Sequence, residues 1–99
     1  MVLQQLHAIV HGRVQGVSFR YNAQLKAQML GLTGWVRNLA DGTVETKAIG
    51  EHAVLEGFLA WLRIGPSGAK VSRVEATWSE TAQPLPLVPL FEIKYGSDS

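Results

Sequence analysis

The order in which two periodicities alternate along the chain limits its fold more than any other feature of the sequence. Apolar residues recur at every second position over Leu6–His11, as in a β-strand, and at helical spacing over Phe19–Leu30. The patterns that follow predict strands over Gly34–Leu39 and Thr43–Ile49, a helix over Glu51–Ile64, a strand over Val71–Glu80 and a short strand over Phe91–Tyr95. This order, β-α-β-β-α-β with a final strand, predicts an α+β fold of the ferredoxin-like type, an antiparallel sheet with two helices on one face.

Cap and turn residues separate these elements. Ser18 is a suitable N-cap for the first helix, and Gly31 is a suitable residue to end it. The stretch Ala40-Asp41-Gly42 between two alternating runs predicts a hairpin turn. The proline-rich segment Pro84–Pro89 is predicted to be a loop before the last strand, and the tail Gly96–Ser99 is predicted to fray.

The predicted topology indicates which residues meet at the ends of the strands. In a split β-α-β arrangement the first and second strands run parallel with the third between them, so their C-terminal ends lie at one end of the sheet. The loop after His11 and the residues near Asn38 should therefore be neighbours, about 10 Å apart at the backbone. A bound phosphate and the side chains that contact it can span such a gap.

Length and charge narrow the classes of function. With 99 residues, of which 46% are apolar, the chain is predicted to form one domain over residues 1–99 with a packed core. Nine Lys and Arg against eight Asp and Glu give a net charge of +1, without the basic excess of a general nucleic-acid or membrane surface. The sequence has no cysteine, which excludes thiolate metal sites and a thiol nucleophile, and no recognisable signal peptide or membrane span. We expect a cytoplasmic protein.

The segment GRVQGVSFR (Gly12–Arg20) predicts an anion site, because a glycine-containing turn leads from a strand into a helix. The N-terminus of a helix presents free backbone N–H groups and partial positive charge, and Gly16 lets the backbone approach a ligand closely. Arg20 adds a planar set of donors that can contact two phosphate oxygens. The residues predicted to bind phosphate are Gln15, Gly16, Val17, Ser18, Phe19 and Arg20. Their spacing differs from the Walker A and dinucleotide-binding patterns.

Two stretches resemble the signatures of the acylphosphatase family, in that family's order and spacing. They are GRVQGVSFR over Gly12–Arg20 and GWVRNLADGTVE over Gly34–Glu45, and the later GPSGAKVSRVE and FEIKY also resemble family segments. The resemblance implies a ferredoxin-like hydrolase without metal or cofactor, whose substrate is a small-molecule acyl phosphate and whose product is inorganic phosphate. It also implies that Arg20 binds the phosphate and that Asn38 positions the attacking water.

The residues suit this reaction on chemical grounds as well. The leaving group of an acyl phosphate is a carboxylate, which departs without being protonated, so no general acid is required. Phosphoryl transfer depends mostly on positioning and charge stabilisation, which backbone N–H groups and Arg20 can supply. The amide of Asn38 has both a donor and an acceptor with which to orient a water molecule. The sequence near the loop contains no carboxylate pair and no convincing Ser/His/Asp set.

Simpler interpretations of these residues stay open at the level of sequence. Arg20 could be an ordinary surface arginine, and Asn38 could serve the hairpin, although Asp41-Gly42 already supplies its turn. Arg13 and Gln15 are better interpreted as structural or rim residues than as catalytic ones.

A metal site is not predicted. His7 and His11 share one side of a strand but lie about 13 Å apart, too far to bind one ion. His52 begins the second helix without an Asp or Glu at ligand spacing, and all three histidines are expected to be surface or edge residues. The tryptophans, Trp35, Trp61 and Trp78, are expected to pack in the core or on the sheet.

Two alternatives concern the whole chain. An RNA-recognition domain has the same element order but stacks bases on aromatic residues of its first and third strands, and Val44–Ile49 has none. The second alternative is a protein that keeps the anion loop but binds or regulates a partner. Only an assay can distinguish it from an enzyme, because fold alone does not fix function. The physiological substrate and the oligomeric state stay open, with a monomer as the default.

Overall fold

A computed structural model of the chain describes residues 3–81 and 90–95, which form five strands and two helices. In chain order these are β1 (Leu3–Arg13), α1 (Phe19–Met29), β2 (Thr33–Asn38), β3 (Val44–Gly50), α2 (His52–Ile64), β4 (Lys70–Thr81) and β5 (Phe91–Lys94). The predicted order is confirmed, and the largest difference in a boundary is at β1, which begins at Leu3 rather than at Leu6. The predicted loop Pro84–Pro89 and the predicted fraying of Gly96–Ser99 lie outside the described residues.

The strands form one sheet in the order β4-β1-β3-β2-β5. β3 lies between β1 and β2 and pairs antiparallel with both, as predicted. β1 also pairs antiparallel with β4. The predicted antiparallel pairing holds for β4, β1, β3 and β2, whereas the final strand β5 pairs in parallel with β2, which makes the five-stranded sheet mixed. β1 and β2 are parallel to each other, because both run antiparallel to β3, and β4 runs antiparallel to β1. β4 is therefore antiparallel to β2, and β5 runs in the direction opposite to β4.

The core lies between the two helices and one face of the sheet. Leu6, Ala8 and Val10 on β1 are completely buried, as their alternation predicted. The helices contribute Phe19, Ala23 and Ala27 from α1 and Leu55, Phe58, Leu59 and Leu62 from α2. The rings of Phe58 and Phe91 meet edge-on with centroids 5.8 Å apart, which joins β5 to this core. The predicted placement of both helices on one face is confirmed.

The turn between β2 and β3 is built by Asp41, as the sequence indicated. The amide of Leu39 donates to the carbonyl of Thr43 (2.9 Å), and Oδ1 of Asp41 accepts from the amide (3.0 Å) and the hydroxyl (2.6 Å) of Thr43. The hydrogen bond from the Thr43 hydroxyl holds the pKa of Asp41 below its ordinary value, so the carboxyl is ionised in its role as turn acceptor. Gly42 follows with φ 92°, a conformation that favours glycine.

Both helices are short. Neither of them, within the part of the chain that the structure describes, combines the length and the apolar character needed to cross a membrane.

Candidate active site

The C-terminal ends of β1 and β2 lie at the same end of the sheet, as predicted. β1 and β2 both run antiparallel to β3, so they are parallel to each other and separated by one strand. Val44 of β3 pairs with Val10 of β1 on one side and with Asn38 of β2 on the other, which places these three residues in one row. Asn38 therefore lies at the same end of the sheet as the loop that follows β1, about 10 Å away across two strand spacings.

A cleft of about 350 Å³ opens at this end of the sheet. It is lined by Val14, Gly16, Ser18, Phe19, Arg20, Tyr21, Asn38, Ile93 and Tyr95. The structure thus brings together the two side chains predicted to be catalytic, Arg20 and Asn38, with three of the predicted loop residues, Gly16, Ser18 and Phe19. The other two predicted loop residues, Gln15 and Val17, are not among the described residues that line it.

Gln15 has a different task in the loop. Its side-chain amide donates to the carbonyl of Leu39 (2.8 Å) and to the carbonyl of Thr43 (2.9 Å). Both hydrogens of the amide are therefore used to fasten the loop after β1 to the hairpin between β2 and β3. The side chain of Gln15 therefore has a structural role, and the side chain of Val17 packs against the core. Phosphate binding by the backbone of these two loop residues stays a prediction.

The loop reaches α1 through two residues with positive φ. Gly16 has φ 76° and Ser18 has φ 59°, and Ser18 is the only non-glycine residue with positive φ in the described chain. Space within the protein does not require glycine at position 16, because a Cβ there would meet no atom within 4 Å. Its backbone conformation does, because L-residues other than Asn and Asp rarely adopt the left-handed region.

Ser18 occupies the N-cap position of α1, as expected, but it does not cap the helix with its side chain. A capping side chain needs an extended backbone at the N-cap, whereas Ser18 is left-handed. Its carbonyl instead accepts the backbone N–H of Asn22 (3.1 Å) and the side-chain amide of Asn22 (2.8 Å). The left-handed backbone of a non-glycine residue is strained, and such strain is typical of functional sites.

The N-terminus of α1 faces this cleft with an uncompensated positive end. The first intrahelical hydrogen bond is donated by Asn22, so the amides of Phe19, Arg20 and Tyr21 precede it and have no acceptor within the helix. The first turn of α1 has no acidic residue that would offset the helix dipole. This end of the helix therefore favours a bound anion.

Arg20 adds a full positive charge to the same place. Its guanidinium lies over the ring of Tyr95, 4.9 Å from the ring centroid, and Nη1 is 3.5 Å from the carbonyl oxygen of Lys94. Within residues 3–81 and 90–95 it has no carboxylate within ion-pair distance. An arginine without an acidic partner keeps its donors and its charge for a ligand.

Asn38, the last residue of β2, is half-buried on the side of the sheet that faces the helices. Its side-chain amide forms no hydrogen bond with another group of the described chain. The alternative that Asn38 serves the hairpin is therefore not supported, because Asp41 and Thr43 build the turn without it. An amide that is left unpaired in a cleft can bind water or ligand on both its donor and its acceptor side.

Sequence reasoning missed four residues of the lining: Val14, Tyr21, Ile93 and Tyr95. Val14 and Tyr21 lie within or beside the GRVQGVSFR segment, so their position in the motif could have indicated them. Ile93 and Tyr95 could not have been placed, because their position depends on the parallel pairing of β5 with β2.

His7 and His11 lie away from the cleft, on the sheet face without helices. Nε2 of His7 lies 2.6 Å from Oε2 of Glu45, whose other oxygen accepts from Arg37 (2.6 Å), and Nε2 of His11 lies 2.5 Å from Glu75. Burial of Glu45 raises its pKa, but the hydrogen bonds of His7 and Arg37 outweigh burial, so the pKa is below its ordinary value. β1 is flanked by β3 and β4, so of the two expected positions, surface or edge, these histidines have the first: they are partly exposed on the face of the sheet.

The remaining expectations about metal ligands and tryptophans have mixed outcomes. His52 does have an acidic neighbour, Glu56, one helical turn away at 3.2 Å, contrary to expectation. The described chain nevertheless contains no group of three or more potential ligands that could hold a metal ion.

The tryptophans pack as expected: Trp61 and Trp78 lie against the core, and Trp35 lies on the sheet between Arg37 and Lys94.

Comparison with known proteins agrees with this geometry. The sequence profile of the family described as Acylphosphatase matches residues 6–93. An acylphosphatase of Acaryochloris marina (strain MBIC 11017) is 50% identical over 70 residues, 71% of this chain and 75% of that protein, and one of Anaeromyxobacter sp. (strain Fw109-5) is 49% identical over 76 residues, 77% and 82%. The crystal structure of acylphosphatase from Bacillus subtilis is 39% identical and superimposes with a TM-score of 0.82, covering 93% of this chain and 99% of that one. The chain therefore belongs to the acylphosphatase family.

Proposed function

We propose that this chain is an acylphosphatase, an enzyme that hydrolyses the carboxyl–phosphate anhydride bond of acyl phosphates to a carboxylate and inorganic phosphate. The observation that carries the proposal is that Arg20 and Asn38, far apart in sequence, line one cleft together with the loop that leads into α1. Membership of the family supports the same reaction.

In this proposal the loop and Arg20 hold the transferred phosphoryl group. The amides at the start of α1 and the guanidinium of Arg20 contact its oxygens, which carry more negative charge as the anhydride bond breaks. Donors that are already oriented in the free enzyme need no reorganisation when that charge develops. Arg20 forms no ion pair with any described residue, which supports this assignment, because a carboxylate beside it would compete with phosphate.

Asn38 is assigned to the attacking water. Its amide oxygen accepts a hydrogen bond from the water, and its N–H donates either to the water or to the phosphoryl group. The separation of about 10 Å between the strand ends leaves space for a phosphoryl group with water on one side. Holding the two reactants in line supplies much of the rate increase, because the step becomes effectively unimolecular.

The departing carboxylate needs no proton donor, which agrees with the chemistry of the lining. Among the described residues that line the cleft there is no histidine and no carboxylate. The groups that could serve as acids or bases, such as His7, His11 and Glu45, are engaged with one another or with Glu75 on the opposite face. General acid–base catalysis is not part of the proposed mechanism.

Domain organisation, oligomeric state, location and cofactor requirement are part of the proposed function. We propose one domain over residues 1–99 that acts as a monomer in the cytoplasm, without metal or cofactor. Recognition is directed at the phosphate, so a range of small acyl phosphates are substrates.

Hydrolysis of a simple aryl acyl phosphate is the direct test of this function. We expect turnover that survives exhaustive treatment with chelator and does not rise when Mg²⁺ or Zn²⁺ is added, since water is positioned by Asn38 rather than by an ion. Loss of activity in chelator that one metal restores would reveal a metal site. If the protein binds phosphate but does not hydrolyse acyl phosphate, the result would support the alternative function, a protein that uses the anion loop to bind or regulate a partner.

Inorganic phosphate is expected to raise the melting temperature, because it binds the folded loop and not the unfolded chain. At about ten times Kd the stabilisation is about 1.4 kcal/mol. For a domain of this size each kcal/mol corresponds to roughly 4–8 °C, so the expected rise is about 6–11 °C. The measurement is a thermal melt in phosphate against chloride at equal ionic strength.

Two variants make that measurement specific to the cleft. Arg20→Ala should melt near the wild type without phosphate and should lose most of the rise that phosphate produces. Arg13→Ala is the matched control, because Arg13 belongs to the same motif but is exposed at the end of β1 and is not part of the lining. An equal rise in all three proteins would mean that phosphate acts elsewhere.

A further inference from the structure

We propose that Tyr95 is a positioning residue for the reaction: its ring orients the guanidinium of Arg20 toward the phosphate. The inference rests on the proposed function, because it assigns to Tyr95 an effect on the arginine that is taken to bind substrate. Nothing in the motif over Gly12–Arg20 points to Tyr95, which lies after the last strand.

The fold places Tyr95 beside the cleft through the parallel pairing of β5. Gly34 pairs with Phe91 and Arg37 with Lys94, so the C-terminal ends of β2 and β5 lie at the same end of the sheet. Phe91 is 3% exposed and anchors the strand in the core. The residue that follows β5 therefore emerges next to Asn38 and α1, where the ring of Tyr95 lines the cleft while the side chain stays 73% exposed.

The ring is the principal contact that Arg20 makes with the described residues. The guanidinium carbon lies 4.9 Å from the ring centroid, within the range of a cation–π interaction. The contact of Nη1 with the carbonyl of Lys94 is 3.5 Å long, at the outer limit for a hydrogen bond. The ring therefore contributes more than the carbonyl to holding the side chain.

An aromatic ring is a suitable holder for an arginine that must bind an anion. A carboxylate would accept the N–H donors of Arg20 and neutralise its charge, so phosphate would have to displace it. The ring attracts the cation through its quadrupole and leaves the forked donors for phosphate oxygens. Because the free side chain has several rotatable bonds, a contact that limits its rotamers lowers the entropy that binding must overcome.

The expected consequence is a change in binding more than in turnover. A cation–π contact at an exposed site corresponds to about a two- to fivefold change in an equilibrium constant. Tyr95→Leu should therefore raise Kd for inorganic phosphate and KM for an aryl acyl phosphate by about two- to fivefold, with a smaller change in kcat. Tyr95→Phe keeps the ring and should behave as the wild type. Both variants should melt near the wild type, because the side chain is mostly exposed.

A nuclear magnetic resonance titration with inorganic phosphate tests the inference directly. In the free protein, the Nε–H signal of Arg20, assigned by its loss in Arg20→Lys, should carry a ring-current shift that Tyr95→Leu removes and Tyr95→Phe retains. The same titration gives Kd for each protein. A lost shift with weaker phosphate binding in Tyr95→Leu alone would support the proposal.

Other results would overturn it, and they separate it from the proposed function. Equal weakening in Tyr95→Leu and Tyr95→Phe would show that the hydroxyl matters rather than the ring. Unchanged Kd and an unchanged Arg20 signal in Tyr95→Leu, with phosphate binding abolished in Arg20→Ala, would contradict the inference and leave the proposed function standing. Unchanged phosphate binding in Arg20→Ala would remove the basis of both.

Discussion

Replacement of Arg20 by Ala is expected to lower kcat/KM for an acyl phosphate by about a thousandfold or more, the scale on which a catalytic arginine stabilises a transferring phosphoryl group. The loss should fall on both KM and kcat, because the guanidinium contacts phosphate in the ground state and more strongly as charge develops. Arg20→Lys should recover little of this loss, since an ammonium group cannot make the forked contact with two oxygens. Steady-state kinetics on an aryl acyl phosphate provides the measurement.

The structure supplies the controls for this experiment. Arg20 has no ion pair within the described chain, so its removal should leave the melting temperature in plain buffer nearly unchanged. Arg13→Ala removes a positive charge from the same motif and should retain nearly wild-type kinetics, which excludes a general loss of charge as the cause. Wild-type kcat/KM in Arg20→Ala would show that the active site has been assigned to the wrong residue.

Replacement of Asn38 by Ala is expected to lower kcat by about a hundredfold or more, as when one preorganised polar group is removed from a transition state. The Kd for inorganic phosphate should change little, because Asn38 is assigned to water and the phosphate is held by the loop and Arg20. Single-turnover kinetics together with a phosphate titration separates the two quantities. Asn38→Asp should also be slow, because its carboxylate has no N–H donor and would repel the phosphoryl group.

The pattern of loss distinguishes the two side chains from each other. If Asn38→Ala weakened phosphate binding strongly while kcat remained intact, the assignments of Asn38 and Arg20 would have to be exchanged. A hairpin function for Asn38 would produce a third pattern, a lower melting temperature with both constants affected. The hydrogen bonds of Asp41 and Thr43 hold that turn without Asn38, so we expect no such loss of stability.

The parts of the fold that follow from local periodicity could be predicted from the sequence. The alternation of Leu6, Ala8 and Val10 placed them in the core, and the helical spacing of Phe19, Ala23 and Ala27 selected the buried face of α1. The meeting of the β1 loop with Asn38 also followed, because the handedness of β-α-β crossovers leaves little choice of topology.

The features that could not be predicted depend on long-range pairing or on backbone conformation. The sequence of the four-residue strand β5 does not indicate which strand it pairs with. Its parallel pairing with β2 could therefore not be predicted, and neither could the position of Tyr95. Serine is a common residue type at the N-cap, so the sequence gives no sign that the backbone of Ser18 is left-handed. That conformation is set by the geometry of the loop. The pairing of His7 with Glu45 depends on the register between β1 and β3, and the residues near His7 in the chain do not show which residue of β3 lies beside it.

The two hydrogen bonds of Gln15 have a consequence for the order of events during folding. They join residues separated by 24 and 28 positions, and α1, β2 and the hairpin turn lie in the chain between them, so we expect these contacts to close late in folding. Local helix formation is fast, whereas closing a long segment carries an entropic cost and comes later. A chain with α1 formed but β2 undocked would have Arg20 in a helix and no fixed relation to Asn38. Recovery of hydrolytic activity during refolding therefore reports completion of the central sheet rather than the appearance of helical structure.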